Sequence, residues 1–285
     1  MKLIIVSGRS GSGKSTALRT LEDAGYHCVD NIPVGLLHDL VERYAKLVHS
    51  DVPKIAVCID ARSPGLEQFP ELLLQLREKG IDAQILYLDA RSPTLVKRFS
   101  ETRRRHPLTD QDVDLREAID MEARLLSTVA DLANLTIDTT NISGKNLSEQ
   151  IVHRVIESGG TSVSLLFRSF GFKHGIPVDA DFVFDLRCLP NPHWQPGLRP
   201  LTGRHEAVVV YLQSQELVNV MFQDIADYLQ KWIPRFADND RVYLTVAIGC
   251  TGGQHRSVYM AERLSQHFTP QIDQVLVRHR ELDKT

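Results

Sequence analysis

The sequence predicts an α/β protein of two domains: an N-terminal P-loop NTPase (kinase-like) domain with a parallel sheet at residues 1–157, and a second α/β domain at 163–285. Three observations predict it. Gly8-Arg9-Ser10-Gly11-Ser12-Gly13-Lys14-Ser15 follows the apolar strand Leu3 to Val6 and completes a GxxxxGK[ST] phosphate-binding pattern. Apolar strands alternate with helical stretches along both halves, which implies crossover connections and mostly parallel sheets. The 285 residues exceed the ~100–200 usual for one domain, and a small-residue run, Ser158 to Ser162, sits where a linker belongs.

In the first domain the expected strands after Leu3 to Val6 are Tyr26 to Val29, Ile55 to Ile59, Ile85 to Leu88 and Leu135 to Ile137. Helices are expected near 35–49, 66–79, 92–104, 115–133 and 146–157. In the second domain the expected strands are Val163 to Phe167, Phe182 to Leu186, Val208 to Leu212, Val242 to Ile248 and Val275 to Val277, with helices over 214–233 and 256–267. A proline-bearing loop, Leu189 to Glu206, separates two of these strands; a loop that long in a compact domain is usually functional.

Composition sets the outer limits. Hydrophobic residues at 42% and charged residues at 24% are ordinary for a globular chain, and a net charge of −3 confines any nucleic-acid binding to a local basic patch. No apolar run approaches the ~18 residues of a membrane span and the apolar start is too short for a signal peptide, so the expected location is cytoplasmic. Cys28, Cys58, Cys188 and Cys250 are widely spaced and form no CxxC pair, so neither a disulfide framework nor a zinc site is indicated.

The phosphate loop implies a nucleoside triphosphate. Its glycines let backbone N–H groups converge on phosphate oxygens, Lys14 reaches the β- and γ-phosphates, and Ser15 ligates Mg²⁺. A second carboxylate is needed near the metal, and two strand ends offer one, Asp60 and Asp89. Asp60 is preferred because Arg62 beside it offers a positive group to a phosphate. Asp30 and Asn31, after the second strand, face the same sheet edge and suit either a second ligand or a plain turn. Arg98, Arg103, Arg104, Arg105 and His106 suggest an arginine-bearing lid, against the alternative of a solvated charged face. No NKxD-like tetrad is present, so ATP and GTP both stay open.

Gly249-Cys250-Thr251-Gly252-Gly253-Gln254-His255-Arg256 forms a second strand, glycine loop and helix junction suited to an anion. Its Cx₅R spacing also matches tyrosine-phosphatase loops, in which the cysteine attacks a phosphate. Non-covalent phosphate binding is the preferred reading, with a structural glycine turn as the remaining alternative. Lys173, His174 and His193 lie on loops at other strand ends and add cations and donors that suit a sugar phosphate. At the C-terminus Arg278, His279, Arg280 and Lys284 are candidate RNA contacts, a weak basic signal.

The set GRSGSGKS, VDNIP at 29–33, TRRRHPL at 102–108, SFGFKHGIPVDAD at 169–181, LPNPHW at 189–194 and AIGCTGGQHRSVY at 247–259 closely resembles the RapZ/YvcJ family of bacterial nucleotide-binding proteins over essentially the whole chain. The resemblance implies ATP and GTP binding with weak hydrolysis at most, with a second nucleotide segment matching Asp60, Ala61, Arg62 and Ser63. In the enterobacterial branch it further implies an RNase adapter that binds small regulatory RNA, presents it to RNase E, senses glucosamine 6-phosphate through the C-terminal domain and assembles as a homotetramer. The tail departs from that branch: Glu281, Asp283 and the stretch Thr269 to Gln274 dilute its basic charge. Two rival readings follow, a small-molecule P-loop kinase and a nucleotide-dependent regulator without RNA.

Overall fold

The computed structural model describes residues 1–47, 54–102, 105–156, 163–237 and 243–282. The chain divides into two compact units, Met1–Glu157 and Ser158–Thr285. The linker expected at Ser158 to Ser162, the helix ends at 48–49, 103–104 and 157, and the strand start at Val242 lie outside the described residues.

In the first unit β1 (Lys2–Gly8), β2 (His27–Val29), β3 (Lys54–Cys58), β4 (Asp82–Asp89) and β5 (Leu135–Asp138) form a parallel sheet in the order β2-β3-β1-β4-β5. The order places β1 centrally, with Ile4 opposite Ala56 on one side and Gln84 on the other. Leu3, Ile4, Ile5 and Val6 are fully buried, which explains why that strand reads as an unbroken apolar run. The helices are α1 (Lys14–Asp23), α2 (Leu37–Leu47), α3 (Phe69–Glu78), α4 (Ser92–Thr102), α5 (Leu115–Leu125), α6 (Ser127–Asp131) and α7 (Gly144–Ile151). The stretch expected as one helix over 115–133 is two, because Leu126 leaves helical geometry at φ −92° and ψ 1°. Asp114 starts α5 with a capping box: its carboxylate accepts from the Arg116 and Glu117 amides at 2.7 and 2.9 Å.

The second unit holds β6 (Ser164–Gly171), β7 (Phe182–Asp185), β8 (Tyr243–Cys250) and β9 (Gln274–His279), parallel and in the order β7-β8-β6-β9. Around them lie α8 (Glu206–Gln213), α9 (Glu216–Ala237) and α10 (Arg256–Phe268), which close a core built on Leu165, Phe167, Val246, Leu229 and Phe268. Val208 to Leu212, expected as a strand, lies instead within α8. Val208 and Leu212 are one helical turn apart and fully buried, so a valine-rich run of five residues satisfies a helix as well as a strand.

Parallel strands point their carboxyl ends the same way, and in each unit the glycine-rich loop leaves the carboxyl end of an interior strand. That edge is where ligands bind in open α/β sheets. No helix among the described residues is long and apolar enough to cross a membrane.

Candidate functional site

The first unit's loop runs from the end of β1 to the start of α1. Gly8 pairs with Leu88 of β4 so closely that a Cβ there would lie 2.0 Å from the Leu88 carbonyl oxygen. Gly13 caps α1 at φ 110°, a left-handed conformation that only glycine adopts readily. The loop opens on a cavity of about 570 Å³. Ser10, Gly11, Gly13, Lys14 and Ser15 line it, and Asp60 and Arg62 line it from the end of β3.

Lys14 Nζ donates to the Gly8 carbonyl at 2.5 Å, which holds the cation folded over the loop it serves. Asp60 accepts from the Arg62 amide at 2.9 Å and from its guanidinium, with Arg62 Nη2 at 2.5 Å from Oδ2. Burial pushes the Asp60 carboxyl up, but the hydrogen bonds and charge of Arg62, joined by the charge of Lys14, outweigh it and hold Asp60 below the usual carboxylate range. The residues fit a nucleotide with Mg²⁺: a positive-φ glycine cradle, one lysine, and a hydroxyl and an ionised carboxylate of the hard oxygen type that Mg²⁺ takes. Ser15 and Asp60 are the chain's candidate metal ligands.

Gly8, Arg9, Ser12, Ala61 and Ser63 of the expected nucleotide set are not among the residues that line the cavity. Arg9 is 8% exposed; its guanidinium donates to Asp89 at 2.7 Å, to the Ser92 hydroxyl at 2.9 Å and to the Ala90 carbonyl. It is a structural cation behind the loop. Asp89 is thus paired with Arg9, while Asp60 lines the cavity. Ser12 and Ala61 are buried, and the Ser63 hydroxyl accepts from the Val34 amide at 3.0 Å and donates to the Ile32 carbonyl at 3.2 Å, tying the segment after β2 in place.

Of the proposed arginine lid, Arg98 and Arg105 line the cavity, and Arg98 donates to the Gly11 carbonyl at 2.9 Å and the Thr139 hydroxyl at 3.1 Å. Arg103 and Arg104 lie outside the described residues. His106 turns inward, 2% exposed, to the Glu122 carboxylate. Asp30 and Asn31 also reach the cavity, with Asn31 at φ 53°. Sequence reasoning missed Cys58, Phe99 and Glu122. The signal for Glu122 was a carboxylate three residues beyond Ile119 on the apolar stripe of α5.

In the second unit the Cys250-to-His255 loop joins β8 to α10. Cys250 is 3% exposed; its sulfur accepts from the Gly253 amide at 3.2 Å and lies 3.1 Å from the Ser257 hydroxyl. The Lys173 amide donates to the Thr251 carbonyl at 3.4 Å, which brings the turn after β6 against this loop. His193 sits 6.4 Å from His255, ring to ring, and His255 Nε2 lies 3.3 Å from the Leu198 carbonyl. Burial pushes the His255 imidazole below its ordinary value. His174 pairs with Glu281 at 3.5 Å. Gly249 gives Phe170 and Phe172 room, since a Cβ there would lie within 2.6 Å of both rings.

Arg256, expected on a bound phosphate, has another task. It is 5% exposed and its Nη1 lies 3.3, 3.0 and 2.8 Å from the carbonyls of Leu186, Arg187 and Leu189, with Nη2 3.4 Å from the Thr251 hydroxyl. The guanidinium thus clamps the turn after β7. A phosphatase loop needs that arginine on the phosphate, so the geometry speaks against phosphocysteine chemistry.

The basic tail is corrected too. His279 is 1% exposed between the Ser169 hydroxyl at 2.8 Å and Glu262 at 3.0 Å. Arg280 donates to the Gly171 and Gly175 carbonyls at 3.1 and 2.7 Å and pairs with Glu281 at 3.0 Å. Both hold β9 and its following turn to the unit rather than presenting charge to solvent. Arg278 is half-buried, and Lys284 lies outside the described residues.

Comparison with known proteins finds two domain profiles along the chain. The profile of the RapZ-like N-terminal domain matches residues 1–159, and that of the RapZ C-terminal domain matches residues 163–283. A nucleotide-binding protein of Ectopseudomonas mendocina is 55% identical over 99% of this chain and 100% of its own length. One from Azotobacter vinelandii is 54% identical over the same shares. Shikimate kinase from Bacteroides thetaiotaomicron overlays 53% of this chain and 96% of its own with a TM-score of 0.37 and 13% identity, a likeness too slight to carry argument. With the two domain profiles together spanning nearly the whole chain, the protein belongs to the RapZ family of nucleotide-binding proteins.

Proposed function

We propose that this chain is a cytoplasmic nucleotide- and RNA-binding adapter. In this reading it holds ATP or GTP with Mg²⁺ in its first unit and senses an amino-sugar phosphate, glucosamine 6-phosphate, in its second. It presents a small regulatory RNA to RNase E, working as a homotetramer. The observation that carries the reading is the cavity of about 570 Å³ on which Lys14, Ser15 and Asp60 converge. Family membership supports the remainder. For the sugar phosphate, the loop amides of Thr251, Gly252, Gln254 and His255, with exposed Lys173, His174 and His193 nearby, offer donors for a phosphate and for hydroxyls without help from Arg256. For RNA, the burial of His279 and Arg280 leaves Arg278 and Lys284 as the tail's candidates, so any RNA contact draws on further basic groups or on several tails pooled in an oligomer.

Titration calorimetry tests the sensing step: tighter binding of glucosamine 6-phosphate than of glucosamine supports it, and equal affinity refutes it. Filter binding across a salt series tests the RNA step, since each neutralised phosphate steepens the salt dependence. A second reading, a small-molecule kinase, gains from one observation, that Asp30 and Asn31 reach the same cavity as the phosphate loop and suit an acceptor hydroxyl. Phosphoryl transfer from ATP to a sugar or nucleoside, faster than to water, would favour it.

A further inference from the structure

Glu122 is a buried carboxylate that the nucleotide reading leaves without a role. The apolar stripe of α5 carries it inward beside Ala118 and Ile119, to 1% exposure. Burying a charge there is costly unless it is hydrogen-bonded, and Glu122 meets three donors. Its Oε2 accepts the Ser10 amide at 2.7 Å, its Oε1 accepts the Ser10 hydroxyl at 2.7 Å, and His106 Nε2 stands 3.1 Å from Oε2. His106 Nδ1 accepts from the Leu108 amide at 3.2 Å, so Nε2 is the nitrogen that carries the proton and donates to Glu122. The His106 ring packs 5.0 Å from that of Phe99.

The two residues joined by this carboxylate belong to different stretches of chain around one cavity. Ser10 lines it on the phosphate loop, while the two neighbours of His106, Arg105 and Pro107, line it from the other stretch. Resting on the nucleotide reading, we propose that Glu122 is a positioning residue. It fixes the first half of the phosphate loop against the Arg105 to Pro107 wall and so shapes the nucleotide cavity before a ligand enters. An apolar residue of similar size would fill the same space but set neither wall. The Glu122 carboxylate touches no ligand; it acts through Ser10 and His106.

The test uses the full chain and three variants, Glu122→Leu, Glu122→Gln and Ser10→Ala, with two readouts. The first is amide hydrogen exchange at residues 105–109 in nucleotide-free protein. Ser10→Ala is expected to speed exchange there, because Ser10 reaches that segment through Glu122; unchanged exchange overturns the inference whatever the nucleotide result. The second is affinity for Mg²⁺-ATP and Mg²⁺-GTP, expected to fall about tenfold or more in Glu122→Leu through misplacement of the loop. Glu122→Gln should recover most of it, since the amide oxygen can accept from Ser10 and His106 while its NH₂ donates to the Ser10 hydroxyl. A Gln variant as weak as Leu, or a folded Leu variant as tight as the parent, also overturns the proposal. Should Glu122→Leu fail to fold, Ser10→Ala exchange and Glu122→Gln affinity decide it. A parent chain that binds neither nucleotide refutes the nucleotide reading, while the exchange readout still reports on the link between the two walls.

Discussion

Both units set a glycine-rich loop between an interior parallel strand and a helix, yet they spend their cations in opposite ways. In the first unit the functional and structural cations are separate residues: Lys14 faces the cavity and Arg9 is buried against Asp89. In the second, Arg256 occupies the position where anion-loop spacing expects a ligand contact, and it clamps three carbonyls of the turn after β7. Each unit also carries an Asp-x-Arg clasp at the carboxyl end of the strand beside the loop-bearing one, Asp60 with Arg62 and Asp185 with Arg187. A shared plan thus supports two chemistries. In the proposed reading the first loop would hold its ligand by a lysine and a metal carboxylate, the second by backbone amides and exposed neighbours.

The comparison breaks first at the structural cations, where the largest effects are expected. Asp89→Asn removes the counter-charge of a buried arginine and should cost about 3–5 kcal/mol of stability in the first unit. Arg256→Ala removes the guanidinium that bonds the Leu186, Arg187 and Leu189 carbonyls and should cost about 3 kcal/mol in the second. Chemical denaturation read by near-ultraviolet dichroism reports both. If Arg256→Ala weakens sugar-phosphate binding while the chain keeps its full stability, the arginine is a ligand contact and the contrast between the loops collapses.

The functional cation should behave inversely. Lys14→Ala is expected to weaken triphosphate binding by about 1.5–3 kcal/mol, the worth of a charged hydrogen bond, with an unchanged melting curve. Asp60→Asn should reduce Mg²⁺-dependent affinity more than metal-free affinity, by a smaller amount, and leave stability nearly intact because its partner Arg62 is half exposed. Calorimetry with and without Mg²⁺ checks both variants. A metal effect seen in Asp89→Asn and missing in Asp60→Asn would reverse the roles given to the two carboxylates.

What the sequence showed and what it hid follow from the range of the interactions. The phosphate loop is local: strand, glycines, lysine and helix start lie within fifteen residues, so its place at the edge of a parallel sheet was legible. Arg9 reads as one more loop residue until Asp89, eighty positions away, is seen to claim it. Arg256, His279 and Arg280 read as ligand-facing for the same reason, because their partners sit on other strands and turns. Val208 to Leu212 was misread because five apolar residues are too few to separate a period of two from one of 3.6.

The smallest effect expected concerns His255, and it separates the two loops by pH. Burial, the dominant influence, keeps its imidazole neutral below the ordinary histidine value, with His193 adding in the same direction and backbone carbonyls such as that of Leu198 opposing. Free histidine titrates near ~6.5, so as pH falls through that value the unfolded chain takes up a proton that the folded unit resists. The stability contributed by neutral His255 is therefore complete above about pH 6.5 and declines as the pH drops toward the lowered folded value. Asp60 works in a different window: its carboxyl is held down, so its contribution persists until the pH falls below the ordinary carboxylate range. Melting curves of the parent and His255→Gln at pH 7.5 and pH 5.5 make the comparison. The parent's advantage should shrink at the lower pH, while Lys14→Ala, which alters the other loop, should track the parent at both. A constant difference between parent and His255→Gln would mean that His255 does not titrate against folding, and that the second loop owes its stability to the Arg256 clamp alone.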